Sequence, residues 1–180
     1  MTIKRMQNEN TRQTIKVQRY SSPCGEIILG SVGNELCMCD WGEKPCAEKN
    51  KRRIERMLNA EFREESSDVI KLTVKELNEY FAGERKAFDI PLRLVGSGFR
   101  QSVWKALLNI PYGETRTYMQ VASAVNNPRG VRAVAQAIGA NPMSIIVPCH
   151  RVIGSDGSLT GFAGGLDAKQ YLLAGENTRA

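Results

Sequence analysis

The hydrophobic period of this chain changes near residue 46, and this change limits the folds that the chain can adopt. Before that point, alternating apolar residues predict strands separated by turns at Pro23–Gly25 and at Gly33–Asn34. We expect a small antiparallel sheet built from three strands, Thr14–Tyr20, Glu26–Gly30 and Leu36–Trp41. Residues 1–13 contain few apolar side chains, so the sequence predicts a flexible arm ahead of the sheet.

Beyond residue 46, apolar residues at helical spacing predict two amphipathic helices. Their stripes are Ile54, Met57, Leu58 and Phe62 in the first helix, and Val74, Leu77, Tyr80 and Phe81 in the second. Gly83 is a typical helix terminator, and the glycine-rich segment Val95–Gly98 reads as a linker. The sequence therefore predicts an N-terminal α/β domain over residues 14–95 and a second, mostly α domain over residues 96–180.

Two short helices joined by a tight turn are predicted in the second domain. Thr117 and Gln120 form a capping-box pattern that opens a helix from Tyr118 to Val125. Asn126–Pro128 is a turn, and its proline suits the first turn of a helix that continues to about Ile138. The pair is a helix-turn-helix candidate. Its second helix combines polar side chains with alanines, which fits DNA binding and close helix packing equally well.

A reactive thiol lies in the segment Ile145–Ile153, where we expect a buried strand, a turn at Pro148 and a second strand. His150 is the only histidine in the chain, so an imidazole partner for Cys149 within the chain must be its immediate neighbour. Consecutive side chains point apart, which disfavours direct contact and leaves a bridging water as the connection. The alternative is that Cys149 is a small buried core residue.

The ionisation of a thiol limits how much a base can accelerate its chemistry. An unperturbed thiol is about 5% ionised near pH 7, so complete ionisation increases the reactive thiolate only about twentyfold. A substrate with a poor leaving group therefore also needs stabilisation of the leaving group.

The charge distribution favours a polyanionic partner. The chain has a formal net charge of +6, and the segment from Phe99 to Arg151 contains one acidic residue, Glu114, against six basic ones, Arg100, Lys105, Arg116, Arg129, Arg132 and Arg151. Such asymmetry is typical of nucleic-acid binding, although a solvated basic surface is the simpler alternative. No apolar run approaches the roughly 20 residues of a membrane span, and Met1–Tyr20 lacks a hydrophobic signal region, which predicts a cytoplasmic protein.

The cysteine pattern argues against a disulfide framework and against a metal site. Five cysteines are an odd number, which is consistent with a reducing compartment. Cys24, Cys37, Cys39 and Cys46 form a conceivable zinc set, but Cys-x-Cys is not the usual chelating spacing, so we expect no metal and no cofactor. The glycine-rich loop Gly161–Gly165 lacks the phosphate-binding pattern and is better suited to shaping the mouth of a pocket.

Several motifs resemble the O6-alkylguanine-DNA alkyltransferases, also called methylated-DNA–protein-cysteine methyltransferases. The resemblance covers residues 97 to 176, and its most specific part is Pro148–Val152. Its motifs are Phe99-Arg100-Gln101, Ile110-Pro111-Tyr112-Gly113, Thr117-Tyr118, Asn141-Pro142, Ile145–Ile153, Gly161-x-x-Gly164-Gly165-Leu166 and Lys169-x-x-Leu172-Leu173-x-x-Glu176. It implies an N-terminal ribonuclease-H-like domain with a small antiparallel sheet and a C-terminal winged-helix-like domain with a helix-turn-helix.

The resemblance implies a DNA-repair reaction in which Cys149 takes the alkyl group from O6-alkylguanine. The transfer is irreversible and occurs once per molecule, and O4-methylthymine is a further candidate substrate. By the same resemblance, His150 is a water-linked base and Glu176 orients it, whereas the residue pattern alone leaves Glu176 as a solvated surface acid. Asn141 would tie the turn to this network, and Tyr118 would donate a hydrogen bond to the guanine ring.

The family pattern also implies a monomer that binds the minor groove of double-stranded DNA, with the damaged base flipped out and Arg132 filling its place. The residues assigned to DNA binding are Thr117, Arg132, Ala133, Gln136, Ala137 and Arg151. Those assigned to the substrate pocket are Val147, Pro148, Phe162, Ala163 and Gly164. Phe162 and Ala163 stand where many members carry tyrosine and serine, which bears on the range of alkyl groups accepted.

Two other functional classes fit parts of the pattern. A transcription regulator or an alkyltransferase-like damage sensor would use the helix-turn-helix, but such sensors lack the acceptor cysteine. A thiol hydrolase would use Cys149, but its base would have to be the adjacent His150.

Overall fold

The first half of the protein is built on a four-stranded sheet. The structure, a computed structural model, describes residues 12–42 and 44–178, so the predicted arm lies outside the described residues except for Arg12 and Gln13. Gln13 already begins the first strand. The strands are β1 (Gln13–Ser22), β2 (Gly25–Val32), β3 (Glu35–Trp41) and β4 (Ala60–Glu64), in the spatial order β3-β2-β1-β4.

The three predicted strands pair in the expected antiparallel manner, whereas the fourth strand was not predicted. Helix α1 (Pro45–Leu58) ends at Asn59, which adopts a left-handed conformation, and the chain then runs parallel to β1 as β4. Phe62 therefore lies in a strand, so its assignment to the first helical stripe is wrong. Met57 of the same stripe is also outside the core, because its side chain is 48% exposed.

Helix α2 (Asp68–Ala82) ends at Gly83, as the sequence predicts. The Ser67 side chain caps its first turn by accepting a hydrogen bond from the backbone N–H of Ile70. Gly83 ends it with a positive φ of 80°, a conformation that glycine adopts without steric cost. Its inner face buries Leu77 and Tyr80.

The second half is mainly helical. Its elements are α3 (Gly98–Leu108), β5 (Arg116–Thr117), α4 (Tyr118–Ala124), α5 (Val131–Gly139), a 3-10 turn (Cys149–Arg151), β6 (Val152–Ile153) and α6 (Leu166–Asn177). The capping box of Thr117 and Gln120 is present at the start of α4. Pro128 does not open the next helix, because α5 begins three residues later with Gly130 as its N-cap.

The prediction of a strand ahead of Pro148 is wrong. Residues 144–147 form a tight turn in which Ile145 has a φ of 72°, a strained conformation for a β-branched side chain. Val152 and Ile153 do form a short strand, which pairs in parallel with β5. The apolar run is buried as an irregular segment, and periodicity alone cannot separate such a segment from a buried strand.

One apolar core crosses both halves. Trp41 and Tyr80 from the first half share a cluster of buried side chains with Trp104 and Met143 from the second. The backbone N–H of Cys39 in β3 also donates to Pro142, 2.8 Å away. The sheet therefore packs directly behind the segment that carries Cys149. Within residues 12–42 and 44–178, no helix combines the length and the apolar character needed to cross a membrane.

Candidate active site

Cys149 lies on the 3-10 turn and is 6% exposed. Asn141 holds this turn with both ends of its side chain. Its Nδ2 donates to Cys149 Sγ at 3.2 Å and to the carbonyl oxygen of Val147 at 2.9 Å. Its Oδ1 accepts a hydrogen bond from the backbone N–H of Met143 at 3.0 Å. The strained turn and the thiol are thus fixed by one buried amide.

The surroundings of Cys149 disfavour the resting thiolate. Burial raises the pKa of Cys149 to about 11, and the negative charge of Asp40 adds to this effect. The hydrogen bond from Asn141 and the positive charge of Lys169 act in the opposite direction. With such a pKa, roughly one thiol in ten thousand is ionised at pH 7. A base is therefore needed when the sulfur reacts.

His150 follows Cys149 in the chain and is fully buried. Its Nε2 lies 2.8 Å from Glu176 Oε1, so this nitrogen carries the hydrogen when the carboxylate is ionised. Burial lowers the pKa of His150, which favours the neutral ring. Among the described residues no hydrogen bond joins His150 to Cys149, and Nδ1 has no hydrogen-bond partner. This nitrogen is therefore a buried acceptor.

Glu176 is 1% exposed, so its interpretation as a solvated surface acid is wrong. Besides His150, it accepts hydrogen bonds from the Tyr80 hydroxyl at 2.7 Å, from two nitrogens of Arg151 at 2.9 Å each, and from the Gly113 N–H at 3.2 Å. Burial by itself would raise the pKa of Glu176, but the hydrogen bonds from His150 and Arg151 hold it well below its usual range. The carboxylate is ionised.

Arg151 is not on a DNA-facing surface, which corrects its assignment to DNA binding. Its side chain is 8% exposed, and its Nη1 donates to the carbonyl oxygen of Ile110 at 2.6 Å while other nitrogens bind Glu176. A guanidinium with buried partners on two sides is unavailable to a phosphate. Its role here is to neutralise Glu176.

Residues of the first half support the site from behind, and the sequence interpretation missed them. Asp40 is fully buried and accepts hydrogen bonds from the Trp41 N–H at 2.9 Å and from Asn50 Nδ2 at 2.6 Å. Asn50 also donates to the Asn141 carbonyl oxygen at 3.3 Å. Burial raises the pKa of Asp40 to about 6. The one available signal was a carboxylate in the predicted strand Leu36–Trp41, whose other residues are apolar.

Lys169 was noted only as part of a motif, but the structure gives it a specific place. It is fully buried, and its Nζ donates to the carbonyl oxygens of Val152 and Thr160. Burial lowers the pKa of Lys169, and the nearby Cys149 opposes this shift. A lysine three residues before a leucine pair reads as a surface residue in sequence, so nothing in the pattern pointed inward.

A cleft of about 480 Å³ lies between α5 and the loop of residues 160–163. The Tyr118 hydroxyl donates to the Thr160 carbonyl oxygen at 3.3 Å at this cleft. The lining residues are Tyr118, Ala135, Ile138, Gly139, Thr160, Gly161, Phe162 and Ala163. The cleft therefore brings together one residue predicted for catalysis and two predicted for the pocket.

The remaining predicted pocket residues lie elsewhere. Val147 is fully buried in the core, and Pro148 lines a separate cleft of about 220 Å³ beside Tyr112. Neither lines the cleft at Tyr118. Gly164 lies just behind the cleft, where it packs against Trp41.

The exposed face of α5 carries Arg132, Ala133 and Gln136. Ala137 was assigned to the same DNA-binding face, but it is 2% exposed and its carbonyl oxygen accepts a hydrogen bond from Trp104 Nε1 at 2.8 Å. It belongs to the buried stripe of the helix, so this assignment is wrong. Thr117 is half-buried, and its hydroxyl oxygen accepts from the Gln120 N–H to cap α4.

In the described part of the chain, no three His, Cys, Asp or Glu side chains are grouped closely enough to hold a metal ion. The four cysteines considered for zinc are free thiols, as is Cys149.

The fold and site together define a helix-turn-helix protein with one buried thiol held beside a buried His-Glu pair. Family models agree in both halves: the 6-O-methylguanine DNA methyltransferase ribonuclease-like domain matches residues 15–94, and the DNA-binding domain of the same family matches residues 98–178. The chain belongs to this 6-O-methylguanine DNA methyltransferase family, as the sequence motifs predicted.

Individual relatives show similarity over most of the chain. A methylated-DNA–protein-cysteine methyltransferase from Methanosarcina barkeri is 45% identical over 84% of this chain and 90% of its own length. Another from Haemophilus influenzae is 40% identical over 86% of this chain and 82% of its own length. The crystal structure of Mycobacterium tuberculosis OGT in complex with DNA superimposes with a TM-score of 0.77 at 40% identity, covering 93% of this chain and 94% of that one. The predicted two-domain fold is thereby confirmed.

Proposed function

We propose that this protein repairs double-stranded DNA by transferring the alkyl group of O6-alkylguanine to Cys149, once per molecule, as a methylated-DNA–protein-cysteine S-methyltransferase. The observation that carries this proposal is the Asn141-bound thiol next to a buried imidazole whose Nδ1 has no hydrogen-bond partner among the residues that the structure describes. The names of the relatives and the DNA bound to the Mycobacterium tuberculosis relative support it.

The first step is removal of the thiol proton. Cys149 passes it through a water molecule to Nδ1 of His150, and the ring becomes an imidazolium whose charge is stabilised by Glu176. Arg151 keeps Glu176 ionised before the transfer begins. Because burial raises the pKa of Cys149 to about 11, this step contributes more than the twentyfold that an unperturbed thiol would allow.

The second step is displacement at the alkyl carbon. A bond forms between Cys149 Sγ and the carbon while the bond from that carbon to O6 breaks, and the electron pair of the broken bond passes to the guanine. Tyr118, whose hydroxyl lies at the cleft, donates a hydrogen bond to the ring nitrogen where negative charge develops. The product is a thioether, which is a stable linkage, so the protein does not turn over.

The damaged base must leave the helical stack before it can enter the cleft. Arg132 is exposed on α5 and fills the space that the base leaves, while the small side chain of Ala133 permits close approach to the minor groove. Of the other residues assigned to DNA binding, Gln136 and Thr117 contact the DNA backbone. Binding by a monomer should weaken as salt increases and depend little on sequence, because phosphate contacts dominate.

We also place the boundary between the two domains at residues 95–96. The cap of α3 by Ser97 and the limits of the two family matches support this division. We further propose that the protein works in the cytoplasm, since a reaction that consumes a free thiol requires reducing conditions and all five cysteines are unpaired.

Mass spectrometry of the intact protein tests the proposed function. After incubation with a duplex containing O6-methylguanine, the wild-type protein should gain the mass of one methyl group on Cys149, with at most one event per molecule. Cys149→Ser should bind the same duplex and gain no mass. Methyl transfer to Cys149→Ser, or release of product by wild type without mass gain, would reject the assignment. A duplex with O4-methylthymine extends the assay to that substrate.

A further inference from the structure

Residues 160–163 form one wall of the cleft, and the residue that follows them, Gly164, is supported by the other domain. Gly164 packs directly on Trp41, the last residue of β3. A methyl group on the Cα of Gly164 would lie 2.5 Å from Cε2 and 2.8 Å from Cδ2 of the Trp41 ring. Real Cβ atoms do not approach other atoms this closely. The Trp41 ring therefore limits how far the segment around Gly164 can move away from the cleft.

The backbone of Gly164 does not itself require glycine. The loop glycines with positive φ are Gly161 at 39° and Gly165 at 92°, and Gly164 is not one of them. The three nearest atoms to a Cβ at Gly164 all belong to Trp41. A side chain is therefore excluded at this position by the Trp41 ring and not by backbone conformation.

Trp41 also positions the aromatic wall of the cleft. The Phe162 ring meets the Trp41 ring edge to face, with a centroid distance of 5.7 Å, and meets the His150 ring at 6.4 Å. Phe162 is held between the N-terminal domain and the proposed base. Cys46 of α1 touches the same loop, with its Sγ 3.9 Å from the Ala163 carbonyl oxygen.

The shape of Trp41, and not its hydrogen-bonding capacity, is what the loop uses. Trp41 is 2% exposed, and its Nε1 is buried without a hydrogen-bond partner among the described residues. Replacing the indole by a smaller apolar side chain therefore removes ring volume without breaking a hydrogen bond. This property makes the residue suitable for a size test.

We propose that Trp41 determines substrate specificity by setting the largest alkyl group that the cleft accepts. This inference rests on the proposed function, since it concerns the substrate range of the same reaction. A bulky alkyl group needs the wall formed by Phe162 and Ala163 to move away from the cleft, and the Trp41 ring lies against Phe162 and against Gly164 behind that wall. A methyl group needs no such movement.

The test compares single-turnover transfer from O6-methylguanine and from O6-benzylguanine in one duplex sequence, followed by intact mass. Trp41→Leu should increase the ratio of benzyl to methyl rate about tenfold or more, because a change in pocket volume has effects of this size. Trp41→Phe should fall between Leu and wild type. Phe62→Leu is the matched control, because Phe62 is an aromatic residue of the N-terminal domain that packs against a separate cluster of buried side chains, which includes Ile15 and Ile54. Its ratio should equal that of wild type.

A size exchange distinguishes a specific contact from general loosening of the fold. Gly164→Ala should slow methyl transfer because its new methyl group meets the Trp41 ring, and adding Trp41→Leu should restore the rate. A benzyl-to-methyl ratio that stays unchanged in folded Trp41→Leu, or a Gly164→Ala defect that Trp41→Leu does not relieve, would overturn the proposal. Wild-type methyl transfer is measured in the same series, so failure of the proposed function would be seen separately.

Discussion

Two buried carboxylates lie next to the segment that carries Cys149, and they respond to burial in opposite ways. Glu176 from α6 is 1% exposed and Asp40 from β3 is fully buried. The pKa of Glu176 lies well below its usual range, whereas the pKa of Asp40 is raised to about 6. Similar burial of the same functional group therefore leads to different protonation behaviour.

The difference lies in the partners. Glu176 accepts five hydrogen bonds, of which two come from the Arg151 guanidinium. Asp40 accepts hydrogen bonds from one backbone N–H and from the side-chain amide of Asn50. The positive charge of Arg53 lowers the pKa of Asp40 to some extent, but the two side chains form no ion pair among the described residues. Burial disfavours a charge unless enough donors and an opposite charge compensate for lost water. Glu176 is therefore an ionised carboxylate that can stabilise a neighbouring cation. Asp40 instead links β3 to α1 through its hydrogen bond with Asn50.

The largest effect is expected for Glu176→Gln. The neutral amide leaves Arg151 buried without its counter-charge, so the free energy of unfolding should fall by about 3–5 kcal/mol. Methyl transfer should slow by about a hundredfold or more, because the His150 imidazolium loses its stabilising anion. Urea unfolding and single-turnover mass measurements check both values.

Glu79→Gln is a suitable control for this substitution, because Glu79 pairs with Arg85 at a more exposed position. Its unfolding free energy should change far less than that of Glu176→Gln, because solvent screens this pair, and its transfer rate should stay at the wild-type value. Equal losses in both variants would show that Glu176 is an ordinary ion-pair partner and would remove the contrast with Asp40.

The second effect is a pH dependence at Asp40. Its folded-state pKa of about 6 is higher than the ordinary 3.8, so the folded protein binds this proton more tightly than the unfolded chain. Its contribution to stability is complete below about pH 4 and is lost as the pH rises through about 6. Relative to Asp40→Asn, wild type should therefore lose on the order of 3 kcal/mol between these values. Urea unfolding at several pH values measures the difference, and a constant difference would contradict the raised pKa.

The smallest effect concerns Tyr80, whose hydroxyl joins Glu176 across the two domains. Tyr80→Phe removes one donor to a charged group, which should lower the unfolding free energy by about 1.5–3 kcal/mol. It should also slow methyl transfer modestly and leave duplex affinity unchanged. Tyr20→Phe is the matched control because Tyr20 donates to the neutral Asn78 side chain, and its loss should be about 1 kcal/mol with no change in transfer rate. Identical methyl-transfer rates in the two variants would mean that the function of Glu176 in the reaction does not depend on its hydrogen bond from Tyr80.

These two carboxylates also show what the sequence could reveal. The role of Glu176 came from the family resemblance, whose last motif runs from Lys169 to Glu176, whereas the residue pattern alone left it a solvated surface acid. Asp40 was not found, because its partner Asn50 lies ten residues away on another element and its influence on Asn141 crosses the two domains. Local residue patterns correctly predicted the capping box at Thr117 and the helix end at Gly83. Helical periodicity wrongly placed Phe62 in the first helix, because that helix ends at the left-handed Asn59 and a strand follows it.

The sequence by itself determined the family, the three antiparallel strands and the adjacency of the thiol to the only imidazole, because these are properties of neighbouring residues. Tertiary structure alone decided that Arg151 neutralises Glu176, that Ala137 faces the core, and that Trp41 supports the cleft wall. The physical reason is that burial and pairing of a side chain depend on contacts between elements far apart in the chain, and such contacts leave no periodic signal in sequence.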